Sequence, residues 1–301
     1  MTAEATPRPA PRRAARPSLM RRLRWLVPYL FLLPGGVWLL VFFAIPMVTM
    51  LSVSLQEGSL GAGYALTFNF GIYPEVIERW STQFLRSIQY GFIVTVLALA
   101  IGYPMAYTIA FRGGRYKNIL LLLVILPFFT SYLIRTISWK FILADNGFVL
   151  GTLKEIGLLD AGFRLLATPV AVISGITYNF LPFVVLPLYV ALEKIDPRLI
   201  EAATDLYASR LQAFLRVTLP LSLPGVFAGS LLSFIPAVGD FINAELLGSR
   251  NTTMIGNVVQ RLFLTNNDFP QAAAISFLLM GGILVGIYFY ARALGNEELT
   301  R

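Results

Sequence analysis

The stretch Glu193-Lys-Ile-Asp-Pro-Arg-Leu-Ile-Glu-Ala-Ala-Thr-Asp-Leu-Tyr-Ala-Ser-Arg-Leu-Gln-Ala-Phe-Leu-Arg-Val-Thr-Leu-Pro220 is a polar insert between two apolar runs. Asp196 before Pro197 pairs a helix N-cap with a first helical position, because aspartate accepts from a free backbone N–H and proline lacks a donor that the first turn cannot use. A short helix follows to about Leu206. Ser209 and Gln212 have the spacing of a capping box, which restarts a second helix with Leu211, Phe214 and Leu215 on its apolar side. Pro220 marks where this helix gives way to the next apolar run. The insert therefore predicts a helix–turn–helix lying across one face of a membrane.

The runs on either side are long enough to cross a bilayer, which takes about 20 largely apolar residues. Six such stretches occur, near 27–53, 88–111, 118–138, 168–192, 222–247 and 270–291. The first carries Pro28, Pro34-Gly35-Gly36 and Pro46, which membrane helices tolerate because neighbours re-satisfy freed backbone groups. Of the 301 residues 56% are hydrophobic and only 13% charged, against about a quarter charged in soluble domains. The fold expected is an all-α integral membrane protein of six transmembrane helices.

The net charge of +8 has an uneven distribution. Seven arginines precede the first span, and with a cytoplasmic N-terminus 16 of the 24 Lys and Arg fall inside and seven outside, Arg135 lying within span three. The positive-inside rule then places both termini in the cytoplasm. Residues 1–24 read as a disordered basic cytoplasmic tail, 25–292 as the six-span domain with its loop at 193–220, and 293–301 as a short cytoplasmic tail. The first apolar run exceeds a signal-peptide h-region and has no cleavage site, so it is read as an uncleaved helix. Among the outer loops at 54–87, 139–167 and 248–269, the piece Tyr73–Trp80 is amphipathic and suits either the membrane surface or a solvated linker. No base-reading motif accompanies the arginines, so nucleic acid is not an expected partner, whereas membrane lipid is.

There is no cysteine and no histidine. Disulfides, zinc motifs of the H-E-x-x-H kind and a serine–histidine pair are thereby excluded, and an intramembrane protease with them. No G-x-x-x-x-G-K-[ST] loop is present, so ATP hydrolysis would have to come from a partner. No catalytic residue, metal site or cofactor is expected.

An acid inside a span is costly and is a functional candidate by default. Asp240 and Glu245 are the two within the predicted fifth span. Ser230, Ser233, Asp240 and Asn243 share one helix face by spacing, and Pro236 and Gly239 are placed to open that helix beside Asp240. Such a stripe offers acceptors to a cation. Its plain alternative is structural: Asp240 lies near the outer interface, where it would serve as a cap, and Glu245 falls just outside. Tyr178 and Asn179, halfway across span four, complete the candidate substrate path, Tyr178 offering an aromatic face to an ammonium or plain packing. Arg135 is expected to snorkel outward from span three. Gly282-x-x-x-Gly286 is a close-packing face, read first as packing within the chain.

Glu201-Ala202-Ala203, followed by Val217, Leu219 and Pro220, resembles the EAA motif of permease subunits of binding-protein-dependent ABC importers. The resemblance implies six transmembrane helices of the ABC importer permease (MetI-like) type, and makes Glu201, Ala202, Ala203, Tyr207, Leu219 and Pro220 contacts of a coupling helix with a cytoplasmic ATPase. Tyr207 stands where that family usually has glycine, at a turn that favours positive φ. Pro127–Thr136, Asp145-Asn-Gly147, Val238–Gly248 and Asn251–Gln260 resemble the spermidine/putrescine branch. That implies a polyamine substrate, a second permease subunit in a heterodimer, two ATPase copies and an extracytoplasmic substrate-binding protein, in a bacterial inner membrane. Permeases for ferric iron, thiamine, phosphonate or sulfate are the alternatives. A stand-alone secondary transporter would account for the spans but not for the loop.

Overall fold

A computed structural model describes residues 27–298, so the basic tail at 1–24 lies outside the described residues. The chain divides into two units after Met50. The first is built on helix α1 (Val27–Leu39), a π-helical turn at Leu40–Ala44, and helix α2 (Ile45–Ser54), which runs into the second. Ile45 N–H reaches back five residues to the Leu40 carbonyl, and this wide turn directly precedes Pro46, which has no N–H to donate.

The second unit opens with a two-stranded hairpin, β1 (Gln56–Ser59) and β2 (Gly63–Leu66), with Gln56 opposite Leu66. The sequence reading contained no strand. Helix α3 (Ile72–Arg112) follows with 41 residues, about 60 Å at 1.5 Å per residue and twice the bilayer core. Tyr73–Trp80, expected on the membrane surface or in a linker, is instead the N-terminal part of the same continuous helix as the second span. Its Ile72 and Val76 are buried in one cluster with Ile255, Val258 and Ile275, which holds it in line.

The third span departs most from expectation. Helix α4 (Lys117–Ile125) and a 3₁₀ turn at Leu126–Phe129 end at Thr130, which is extended. Helices α5 (Tyr132–Leu143) and α6 (Phe148–Glu155) then run off at 94° to the preceding segment. The predicted span 118–138 is a broken one. Pro127 withholds an N–H, and extended Thr130 and Ser131 interrupt the helical ladder.

Helix α7 (Pro169–Glu193) starts on Thr168, whose hydroxyl accepts from Ala171 N–H at 3.3 Å. After the polar loop, with helix α8 (Pro197–Asp205) and α9 (Arg210–Ala213), the chain passes through a π turn at Phe214–Thr218 into α10 (Leu219–Val238). The fifth span thus begins at Arg210 and stops at Val238, nine residues short of the predicted end. A short helix α11 (Ile242–Leu247), α12 (Ile255–Leu264) and α13 (Phe269–Glu298) complete the chain. The last helix continues through most of the predicted C-terminal tail. Among the described residues five helices are long and apolar enough to cross a membrane, six if the bent pair is one span.

Helices α3, α7 and α10 form the centre of this unit. Glycine permits the close approach: a Cβ on Gly225 would stand 2.5 Å from Ala191 Cβ and 2.8 Å from the Pro187 carbonyl, and one on Gly229 3.2 Å from Val184 Cα. Small residues at such crossings let backbones touch where lipid gives no hydrophobic drive.

Candidate functional site

Two polar regions stand at opposite ends of α10. The first is the loop before it. Asp196 Oδ1 accepts from Arg198 N–H at 3.0 Å, as the N-cap reading requires. The capping box closes in both directions, Gln212 N–H to Ser209 Oγ at 3.3 Å and Ser209 N–H to Gln212 Oε1 at 2.9 Å. Between the two helices Tyr207 takes φ +61°. Tyr207 N–H donates to the Thr204 carbonyl and Ala208 N–H to that of Ala203, both at 3.0 Å. This is a Schellman ending with tyrosine in the left-handed position that glycine usually fills. Helix α8 buries none of its residues. Glu201 and Ala202 are exposed and Ala203 half-buried, while Leu219 and Pro220 sit half-buried where the loop enters the bundle. Pro220 stands in the first turn of α10, where the sequence reading had the second helix give way to the next span, and no break separates the two. The π turn, with Leu219 N–H bonded to the Phe214 carbonyl, shifts the ladder by one residue just before the proline.

The second region is a buried seam just past the other end of α10. Asp240, placed in span five by the sequence reading, lies beyond it, between Gly239 and α11. Its Oδ1 accepts from Asn243 N–H at 2.8 Å, and its Oδ2 from Asn243 Nδ2 at 3.0 Å and from the Tyr132 hydroxyl. Asn243 Nδ2 also reaches the Tyr132 hydroxyl at 2.6 Å. Asn243 Oδ1 accepts from Thr136 Oγ1 at 3.2 Å and from Asn179 Nδ2 at 3.3 Å. Asn179 Oδ1 is a buried acceptor with no hydrogen-bond partner among the described residues. Three segments far apart in sequence, α5, α7 and the α10–α11 junction, are thus joined by one polar network, and no Lys or Arg pairs with Asp240 among the described residues.

The continuous stripe expected on span five is divided. Ser230 Oγ pairs with the Tyr290 hydroxyl at 2.8 Å, and Ser233 Oγ is buried without a hydrogen-bond partner among the described residues. Asp240 and Asn243 turn away because the helix ends at Val238. Tyr178 is half-buried with its ring 5.5 Å from that of Trp139. Glu245 is exposed and accepts from Asn257 Nδ2 at 3.2 Å. Arg135 does not snorkel. It is buried over the rings of Phe128 and Tyr132, at 4.9 and 5.6 Å. Gly282 and Gly286 meet nothing among the described residues, so their face is open rather than packed within the chain. The sequence reading missed Tyr132 and Thr136. Their only signal was a tyrosine and a threonine one helical turn apart just after the break.

A bundle of apolar helices has a polar loop at one end of a central helix and a buried polar seam at the other, an arrangement that suits a multi-pass transport component. Residues 98–292 match the family described as binding-protein-dependent transport system inner membrane component. The chain belongs to this family and is a permease of the bacterial inner membrane. It is 39% identical over 274 residues to the spermidine/putrescine transport system permease protein PotB of Haemophilus influenzae, covering 87% of this chain and 93% of the relative. The PotB protein of Escherichia coli is 36% identical over 265 residues, with 87% and 96% covered. The fold is shared with a bacterial ABC transporter that imports alginate, at a TM-score of 0.69 and 23% identity over 93% of this chain and 98% of that one. A second structure of the alginate transporter, holding a periplasmic protein bound to an alginate pentasaccharide, matches at a TM-score of 0.68 and 23% identity, with 90% and 95% covered.

Proposed function

We propose that this permease forms half of the translocation path of an ATP-driven polyamine importer, with spermidine and putrescine as its substrates. The observation that carries the reading is the 39% identity to a spermidine/putrescine permease over 87% of the chain. Its partners are a second permease subunit, two copies of a cytoplasmic ABC ATPase and an extracytoplasmic substrate-binding protein, with both termini in the cytoplasm. Lys117 Nζ to Glu193 Oε1, at 3.2 Å, ties two segment ends that the charge distribution assigns to that side.

In this reading the loop carrying Glu201, Ala202, Ala203 and Tyr207 docks on the ATPase, and Leu219 and Pro220 pass its movement into α10. That helix is 20 residues long, about 30 Å by its rise, so one continuous helix runs from the end of the docking loop to the seam. At the seam Asp240 supplies a negative charge, Asn179 an unpaired acceptor, and Asn243, Ser233, Tyr178 and Glu245 flank the passage. An ammonium is a donor without an acceptor, which suits such a lining.

The test is uptake of spermidine and putrescine by the complex reconstituted in proteoliposomes, with thermal-shift screening of the cognate binding protein against polyamines, ferric iron, thiamine, phosphonate and sulfate. Polyamine uptake that requires ATP and the binding protein is expected. Stabilisation by one of the other solutes alone, with no polyamine uptake, would refute the substrate assignment.

A further inference from the structure

Arg135 lies in α5, just past the break at Thr130. It is 9% exposed, its Nε and Nη1 are buried without a hydrogen-bond partner, and no acid pairs with it among the described residues. What holds it is aromatic: its Cζ stands over the rings of Phe128 and Tyr132 at 4.9 and 5.6 Å. An aromatic face returns only part of what an unpaired buried charge costs. A cation held in such a place is kept for its charge.

Its neighbours give it a position. The Tyr132 hydroxyl donates to Asp240, so one side chain separates the guanidinium from the carboxylate. On the other side Phe128 meets Phe183 edge to face, with ring centroids 4.9 Å apart. Phe183 lines a groove of about 780 Å³ between α7 and α10 that reaches Lys194 and Asp196 at the loop. Asp240, Tyr132, Arg135, Phe128 and Phe183 thus form a chain of contacts from the seam to that groove.

We propose that Arg135 is the charge barrier of the translocation path, a fixed cation between the Asp240 seam and the groove that shuts out sodium and potassium. This rests on Asp240 lying in the path, the reading given above, and names what keeps that path selective. A carboxylate that draws in an ammonium draws in any cation, so a membrane that holds ion gradients needs an opposing charge just past it. Arginine suits the role because it stays charged when buried. A positive charge in a narrow, weakly screened passage turns other cations back. The extended Thr130-Ser131 link directly before α5 gives that helix a joint on which to carry the barrier aside in the driven cycle.

The experiment places the full complex in proteoliposomes as the parent, Arg135→Gln and Arg135→Lys. Passive sodium and potassium flux is measured without ATP, binding protein or polyamine, beside the melting temperature of each complex and ATP-driven polyamine uptake by the parent. Arg135→Gln is expected to raise the passive flux about tenfold or more. Its melting temperature should be unchanged or raised, because no ion pair is lost. Arg135→Lys keeps the charge and is expected within about threefold of the parental flux. Parental flux in Arg135→Gln overturns the barrier. Equal leaks in the Gln and Lys variants overturn it too, since packing and not charge would then hold ions back. A lower melting temperature in Arg135→Gln assigns the guanidinium to an acid of the second permease subunit and likewise overturns it. A leak confined to Arg135→Gln, in a complex whose parent imports no polyamine, upholds the barrier and fails the substrate assignment alone.

Discussion

The side-chain amide of Asn243 donates to the Tyr132 hydroxyl at 2.6 Å, joining the helix after the break in the third span to the short helix after the fifth. The same hydroxyl donates onward to Asp240, so one atom serves two segments.

Tyr132→Phe keeps the ring and removes that atom. Asp240 Oδ2 then retains only the Asn243 amide, in a place with little water. Leaving a buried polar group short of a partner costs about 1–3 kcal/mol. The melting temperature of the purified complex should fall in Tyr132→Phe. It should fall further in Asn243→Ala, which also releases Thr136 and Asn179.

Asp240→Asn keeps the shape of the seam and deletes its charge. A hydrogen bond to a charged group contributes about 1.5–3 kcal/mol, or roughly ten- to a hundredfold in apparent affinity. Uptake should therefore weaken, and more for spermidine than for putrescine, because the longer amine carries more charge. If Asp240 is purely structural, the melting temperature drops and the ratio of the two uptake rates stays at its parental value.

Gly225→Val tests the crossing of α7 and α10. The new side chain would meet Ala191 Cβ and the Pro187 carbonyl with no flexible neighbour to yield. Overpacking of this kind costs about 1–3 kcal/mol, and lower yield and lower melting temperature should follow. Gly239→Ala is the matched control, since its Cβ would come no nearer than 4.0 Å to the Pro236 carbonyl. It should behave as the parent.

Ser209→Ala removes the hydroxyl that accepts from Gln212 N–H. An N-cap lost to alanine costs about 1 kcal/mol. Hydrogen exchange at residues 210–213 should quicken, with amides in the middle of α10 unchanged.

The polar loop was legible almost atom by atom because its structure is local: caps and turns depend on residues two to four apart. Asp196, Pro197, Ser209 and Gln212 each took the place their chemistry dictates. The polar seam was half legible. Asp240, Asn179 and Asn243 stood out as polar residues in apolar runs, but their grouping with Tyr132 and Thr136 depends on how distant segments cross. Hydropathy also could not show that span three is bent. Pro127 and the Thr130-Ser131 pair mark the place, yet an apolar count treats a kinked run and a straight one alike. The great length of α3 was hidden for the converse reason, since its first two turns are amphipathic and read equally well as a surface helix.

The wide turn at Phe214–Thr218 sits in the same relation to Leu219-Pro220 as the turn at Leu40–Ala44 does to Ile45-Pro46. Each houses one more residue than a regular turn of helix would, and so acts as a gauge for chain length. Deleting a residue elsewhere in α10 would swing every later side chain by about 100° around the axis. Taking one from the wide turn would instead close it into an ordinary turn, sparing the faces of the helix but setting proline against the carbonyl four residues back. The angular setting of the whole rod is thus held in five residues at its base.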